Sequence, residues 1–410
     1  MDMENVEKKR KKQSSNNRIL ANYEGYHLTP FNKNKKVKNF SPGPTNIPSK
    51  IFDSIGKEVF SQEKWIQGVS PLEISHRSPE FQKIKKSSET LIKQLLQIPR
   101  NYSILWTHGG GNGQFSSVPL NMFKSDKPAG YFINGLWSHK SSLEAEKFGI
   151  VKNINLNDDN NQNWDIIDKD YSYLYFCSNE TIDGHEFRED SFKLPDKNKF
   201  NTPVVVDMSS DIFTKKVDWN KIDVAFACAS KNFGIPGSTI VIIKDNIFDN
   251  YEENLNQIIP SILDWNLIKS TDSYFNTLPT FNIYITEKIL KYYKKLGGIK
   301  KMEIKSKNKA DLFYKYLDEN QDYYKADVTI KEKRSRMNIP FKVGNHSKDI
   351  VIKFLKEAYK ENIVGLRTKT PFQNLSEIEP LRASFYNSIN ITDVKYLIRF
   401  MEKFRKSLIN

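Results

Sequence analysis

The 410-residue sequence predicts an α/β protein, with a large domain built on a mainly parallel sheet and a smaller C-terminal α+β domain. Three observations predict it. Short apolar runs alternate with helical stretches between residues 100 and 245, the rhythm of βα units. One run leads into a glycine-rich turn, Gly109-Gly110-Gly111-Asn112-Gly113, that opens a helical stretch. Beyond about residue 285 long helices dominate, in a chain already longer than a single core usually supports.

Residues 1–38 read as a disordered basic tail, with ten Lys or Arg against four Asp or Glu and no apolar stretch of the kind a secretory signal needs. "NFSPGPTNIP" follows as a Pro/Gly-rich entry, and Pro48-Ser49 suits the start of a helix through "KIFDSIGKEVF". "SPEFQKIKKSSETLIKQLLQI" is amphipathic, with Phe81, Ile84, Leu91, Leu95 and Leu96 among its apolar positions. The strands are "YSILWTH", "AGYFING", "YSYLYFCS", "TPVVVDMSS", "DVAFACAS" and "STIVIIK", and "SSLEAEKFG" is one of the helices between them. A tight turn precedes the last strand, which suits an antiparallel return. The large domain therefore runs over 39–285. A helix through "TFNIYITEKILKYYKKLG" leads into the small domain, 286–410, which has strands such as "RMNIPFKV".

Composition excludes several classes. The net charge of +14 invites a nucleic-acid reading, but six of those charges lie in the tail. Most of the lysines of "KILKYYKKLGGIKKMEIKSKNK" form the solvated side of a helix whose other side carries Ile289, Leu290, Tyr293 and Leu296. Nucleic acid is not an expected partner. No apolar run reaches eighteen residues, so no membrane helix is expected. Cys177 and Cys228 are the only cysteines, each inside an apolar run, which argues against a disulfide framework or a cysteine metal site and for a reducing, cytoplasmic setting.

The chemistry should lie beyond the carboxyl ends of the strands, where open α/β sheets bind ligands. The glycine turn lets backbone approach an anion at a helix N-terminus, which suits a phosphate or no ligand at all. It is neither a Walker A loop nor a complete dinucleotide fingerprint. Asp207 ends one strand and Lys231 another, 24 residues later. They could form a structural ion pair. Alternatively, a desolvated amine of lowered pKa forms a Schiff base with an aldehyde, and a buried acid keeps a pyridine nitrogen protonated. Pyridoxal phosphate has aldehyde, pyridine nitrogen and phosphate, and so would use all three features.

Nine stretches support that alternative together: "NFSPGPTNIP", "LEISHRSPEF", "GGGNGQFSSVPLN", "NETIDG", "VVDMSSD", "SKNFGIPGSTIVII", "YFNTLPTF", "RSRMNIPF" and "LRASFYN". In kind and order they resemble the phosphoserine aminotransferase family of class V aminotransferases, from about residue 39 to the C-terminus. The resemblance implies a fold-type I pyridoxal-phosphate enzyme with a seven-stranded sheet, acting as a homodimer with shared active sites. It implies amino transfer between glutamate and 3-phosphohydroxypyruvate, giving O-phospho-L-serine and 2-oxoglutarate in serine biosynthesis. Lys231 matches the Schiff-base lysine and Asp207 the pyridinium partner. Trp137 matches the ring-stacking tryptophan, Thr181 a cofactor-contacting threonine, and Gly111 with Asn112 the phosphate loop. Asn276 and Thr277 match residues reaching the phosphate from the neighbouring subunit. His76 and Arg77 match contacts to the substrate's phosphate or side-chain carboxylate across the interface, and Arg382 the clamp on the α-carboxylate.

The chain departs from the family at three places. Ser230 replaces the usual cofactor-contacting Gln. Leu366 replaces a phosphate-contacting His beside Arg367, which keeps an anion-binding role, and the loop over 368–380 is expanded by roughly nine residues. The basic tail has no family counterpart. Two rivals follow: a class V transaminase for a non-phosphorylated oxo acid, and a catalytically silent dimeric scaffold whose tail binds polyanions.

Overall fold

A computed structural model describes residues 36–124, 126–155, 171–188, 201–249, 258–366 and 380–407. Arg367, most of the expanded loop and nearly all of the tail lie outside the described residues. The chain enters through a two-residue strand, β1 (Lys38–Asn39), and then forms β2 (Tyr102–Thr107), β3 (Ala129–Ile133), β4 (Val151–Asn155), β5 (Leu174–Cys177), β6 (Val204–Asp207), β7 (Val224–Cys228) and β8 (Thr239–Lys244). β2 to β8 make one seven-stranded sheet in the order β2-β8-β7-β6-β5-β3-β4. β8 is antiparallel to β2 and to β7, and the other neighbouring pairs are parallel. The expected antiparallel return is therefore present. β4, "VKNIN", escaped the sequence reading because Lys and two Asn break up its apolar residues, which an edge position permits.

Both faces of the sheet are covered, and the period of two along each strand divides the cores. Val204 and Val206 join Trp106, Phe132 and Ile240 in a core closed by residues of the helices Pro79–Leu96 and Thr280–Lys295. Val205 points the other way, to Phe115, Tyr131, Tyr175 and Phe226, with Trp137 packed against them. Alternation places Asp207, the last residue of β6, on this second face.

A further core surrounds a three-stranded antiparallel sheet made of β9 (Tyr324–Ala326), β10 (Asn338–Val343) and, after the short β11 (Ile363–Val364), β12 (Leu381–Ser384). It includes Phe313, Phe341, Phe354, Leu381 and Phe400, and also Phe40. β1 pairs with β11, so the segment at 38–40 packs with the C-terminal unit although the sequence boundary put residue 39 in the large one. The boundary expected at 285 likewise falls inside helix Thr280–Lys295, whose Ile283, Ile285, Ile289 and Leu290 join the first core. The change of core lies within helix Gly298–Glu319, between Met302 and Ala310. Periodicity shows which side of a helix is apolar but not which core receives it.

Candidate active site

β6 and β7 are parallel neighbours, so their carboxyl ends lie side by side. Asp207 closes β6 opposite Phe226, while β7 runs two residues further to Cys228 and into the short helix Ala229–Asn232 that carries Lys231. Asp207 is buried and accepts the Ser209 N–H at 2.8 Å. Burial pushes its carboxyl above the ordinary value, with the Lys231 charge pulling the other way. Burial should likewise depress Lys231. Tyr386 and Asp207 outweigh it, and the amine stands above its ordinary value. The lowered pKa expected from the sequence is thus corrected by neighbours that a linear reading could not place.

Lys231 Nζ lies 5.8 Å from the centre of the Trp137 ring. The "SPGP" segment passes beside the short helix, and just after it the Thr45 N–H donates to the Ser230 carbonyl at 3.1 Å. A Cβ on Gly43, whose φ is +138°, would come within 3.4 Å of Lys231 Cγ. The Tyr386 hydroxyl donates to the Pro42 carbonyl at 2.7 Å and accepts from Asn338 Nδ2 at 3.1 Å. The strand end is therefore walled by both the N-terminal segment and the C-terminal unit.

Trp137 is held from the end of β5. Its indole N–H donates to Thr181 Oγ1 at 2.6 Å. The backbone N–H groups of Trp137 and Ser138 donate to the two carboxylate oxygens of Glu180 at 2.9 and 2.7 Å, and that of Leu136 to Asp183 Oδ2 at 2.7 Å. Three donors at the start of helix Leu136–Ala145, which would otherwise lack partners, are satisfied in this way. The Thr181 carbonyl accepts Arg382 Nη1 at 2.5 Å. Arg382 lies on β12 between Leu381 and Ala383, whose side chains join the C-terminal core, and so faces the large sheet.

Helix Gly110–Met122 begins after Gly109, whose φ of +84° only glycine adopts freely. Gly111 and Asn112 lie in its first turn, and Asn112 is exposed. The first N–H groups of this turn have no intrahelical acceptor, which suits a phosphate. Gly110 and Gly111 approach Cys228 Sγ, so the turn lies against the end of β7.

The structure thus brings together Asp207, Lys231, Trp137, Thr181, Ser230, Gly111 and Arg382. His76 is half-buried, and Arg77, Asn276 and Thr277 are exposed. Leu366 is buried in the C-terminal core rather than open to a ligand. Glu180, Asp183 and Tyr386 were missed; Glu180 stands three residues past the end of β5, behind Ser178 and Asn179, and so lacks the strand-end position that marked Asp207. An amine, an acid, an indole and a glycine-rich helix start around one set of strand ends fit pyridoxal phosphate.

The comparisons agree with this geometry. The family model for class-V aminotransferases matches residues 37–397. Phosphoserine aminotransferase of Buchnera aphidicola subsp. Cinara cedri is 36% identical over 380 residues, covering 90% of this chain and 99% of that protein. The same enzyme of Buchnera aphidicola subsp. Baizongia pistaciae is 34% identical over 392 residues, covering 92% and 99%. Among solved structures, phosphoserine aminotransferase from Bacillus circulans subsp. alkalophilus superimposes with a TM-score of 0.81 at 29% identity, covering 91% of this chain and 99% of that one. The pyridoxal-phosphate-bound enzyme from Trichomonas vaginalis gives 0.78 at 29%, covering 90% and 100%. The chain belongs to the class-V aminotransferase family.

Proposed function

We propose that the chain is a pyridoxal-phosphate-dependent phosphoserine aminotransferase. It moves the amino group of glutamate to 3-phosphohydroxypyruvate and yields 2-oxoglutarate and O-phospho-L-serine. The observation that carries the reading is Lys231 beside Asp207 at adjacent strand ends under the Trp137 ring, in a chain whose relatives bear that name along nearly their whole length.

Bound here, the cofactor would supply an aldehyde for the substrate amine and a ring that accepts electrons. Lys231 Nζ would hold the aldehyde in the resting enzyme and, once displaced by substrate, take the α-proton as general base. Asp207 would pair with the ring nitrogen, fixed by the Ser209 N–H. Trp137 would cover one face of the ring and exclude water. Thr181, Gly111, Asn112 and Ser230 would complete the cofactor contacts. Arg382 would clamp the α-carboxylate, with its guanidinium already oriented by the Thr181 carbonyl.

His76, Arg77, Asn276 and Thr277 would serve the site of a second copy. The large apolar side chains Leu72 (54% exposed) and Phe275 (45%) stand open near these residues in sequence, and Phe60 (87%) ends the helix Ser49–Phe60 upstream of them, as a homodimer face would in a single chain. Arg367 would bind the substrate's distal anion. The location is taken to be cytoplasmic, in keeping with two free thiols, Cys177 and Cys228. Among the described residues no helix is long and apolar enough to cross a membrane.

The test is the visible spectrum of the purified protein. A yellow chromophore that bleaches with glutamate and returns with 3-phosphohydroxypyruvate is the expected result, and Lys231→Ala should not cycle. Return with pyruvate or glyoxylate but not with the phosphorylated acid would replace the substrate assignment. A protein that takes up no cofactor would sink the enzyme reading altogether.

A further inference from the structure

We propose that Glu180 is a positioning residue for the cofactor site, setting the angle at which Trp137 meets the ring by gripping the backbone of Trp137 and Ser138. The inference rests on the reading of Trp137 as the stacking residue and assigns the group that aims it.

The geometry is unlike an ordinary helix cap. Caps are normally short side chains from the residue just before the helix, and they satisfy one or two N–H groups without burying a charge. Here the N-cap position is Gly135, which has no side chain, and the acceptor arrives from the end of β5, more than forty residues away. Gly135 has a φ of 173°, ordinary extended backbone, so the glycine is not needed for conformation. It is needed for space, because a Cβ there would stand 2.5 Å from Glu180 Cγ and 2.6 Å from Asp183 Oδ2. The sequence gives up the N-cap side chain to admit two distant carboxylates, and local capping is left to the Ser138 hydroxyl, which accepts the Gly135 N–H at 3.2 Å.

That exchange has a cost. Glu180 is fully buried, and burial, with Asp183 adding to it, pushes its carboxyl up to about 7 despite the N–H groups it accepts. A serine at the N-cap would hold the helix without this cost, so helix stability alone does not account for the arrangement. It does account for a fixed indole. Both carboxylate oxygens hold consecutive backbone N–H groups, one of them Trp137's own, while the next residue, Thr181, takes the indole N–H. One turn of chain therefore fixes the ring at its root and at its edge. Side chains that hold a reacting group's neighbour in this way set its geometry without touching substrate.

The test is a cycle of four proteins: wild type, Glu180→Gln, Trp137→Phe and the double variant. The measurements are the dissociation constant for pyridoxal phosphate and the visible circular dichroism of the bound cofactor. Gln keeps the volume but offers one oxygen and one NH2, which leaves one of the two N–H groups facing a donor. Glu180→Gln should weaken cofactor binding about tenfold and diminish the dichroism. In the Trp137→Phe background, where the indole and its N–H anchor are gone, most of that loss should vanish. Equal losses in both backgrounds would mean that Glu180 supports the fold generally, and would overturn the proposal. So would tight wild-type binding that Glu180→Gln leaves unchanged, with the functional reading intact. A wild type that binds no cofactor overturns both. Should Glu180→Gln fail to fold, Asp183→Asn, which loosens the Leu136 N–H and removes the charge beside Glu180, should give a smaller loss with the same dependence on Trp137, and an additive loss there would again refute it.

Discussion

At the scale of single residues, the charge on Lys231 is set by its neighbours. Burial works against the ammonium, and Tyr386 and Asp207 restore it. Asp207→Asn removes one of these supports while keeping the shape. The Lys231 pKa should fall, so uptake of pyridoxal phosphate by the cofactor-free protein should become fast at lower pH than in the wild type, with weaker retention once bound. Stopped-flow absorbance across a pH series checks this, and an unmoved profile would mean that the two groups do not interact. Both residues were legible in the sequence because a charged residue at the end of an apolar strand is costly without a partner. The direction of the lysine's shift was not, since Tyr386 lies 155 positions away in the chain. Glu180 was not, because Ser178 and Asn179 separate it from the apolar run, and its neighbour Thr181 was the residue that the family resemblance picked out.

At the scale of elements, the turn after β5 joins the two units. Gly184 has a φ of +75°, and a Cβ on it would stand 2.3 Å from Pro340 Cδ on β10. Gly184→Ala meets both a left-handed backbone and a clash with a rigid ring. It should cost about 2–4 kcal/mol in urea unfolding and lower glutamate turnover as Thr181 and Arg382 separate. The six strands other than β4, with their antiparallel return, were readable because each is an apolar run, the edge strand β2 included. β4 was not, being a polar edge. Nor was the partition of helix Thr280–Lys295, whose amphipathic pattern is the same whichever unit it serves. The same holds for β1, whose two residues show no pattern and gain their place only by pairing with β11.

At the scale of the whole molecule, a buried cluster ties the units together. Glu186, fully enclosed, accepts Arg336 Nη2 at 2.5 Å and lies 3.4 Å from Lys215, which also pairs with Asp211 at 2.8 Å. Burial opposes the Glu186 charge, but Lys215 and Arg336 prevail and hold the carboxyl down at about 2. A carboxyl lower in the folded than in the unfolded state stabilises fully above the unfolded value near 4.5, and that contribution is lost as pH falls through 2. The amount at neutral pH is about 3 kcal/mol. Urea midpoints should therefore fall between pH 5 and pH 2.5 more steeply in wild type than in Glu186→Gln, which begins weaker. A second expectation belongs to the assembly. On the proposed homodimer, Phe60→Asp should halve the mass seen by sedimentation and release cofactor, because the Asn276 and Thr277 proposed to reach across from a partner would no longer be at hand. Unchanged mass would remove Phe60 from the contact.

The pairing of β1 with β11, and the burial of Phe40 among residues beyond 310, also bear on how the protein is made. The stretch at 38–40 must wait for residues beyond 360 to leave the ribosome before it has a seat. Until then the wall that "SPGP" builds beside Lys231 cannot close, and the nascent chain exposes an unpaired strand and a bare aromatic ring for most of its translation. A chain cut short before β11 should therefore lose order at 38–40 too.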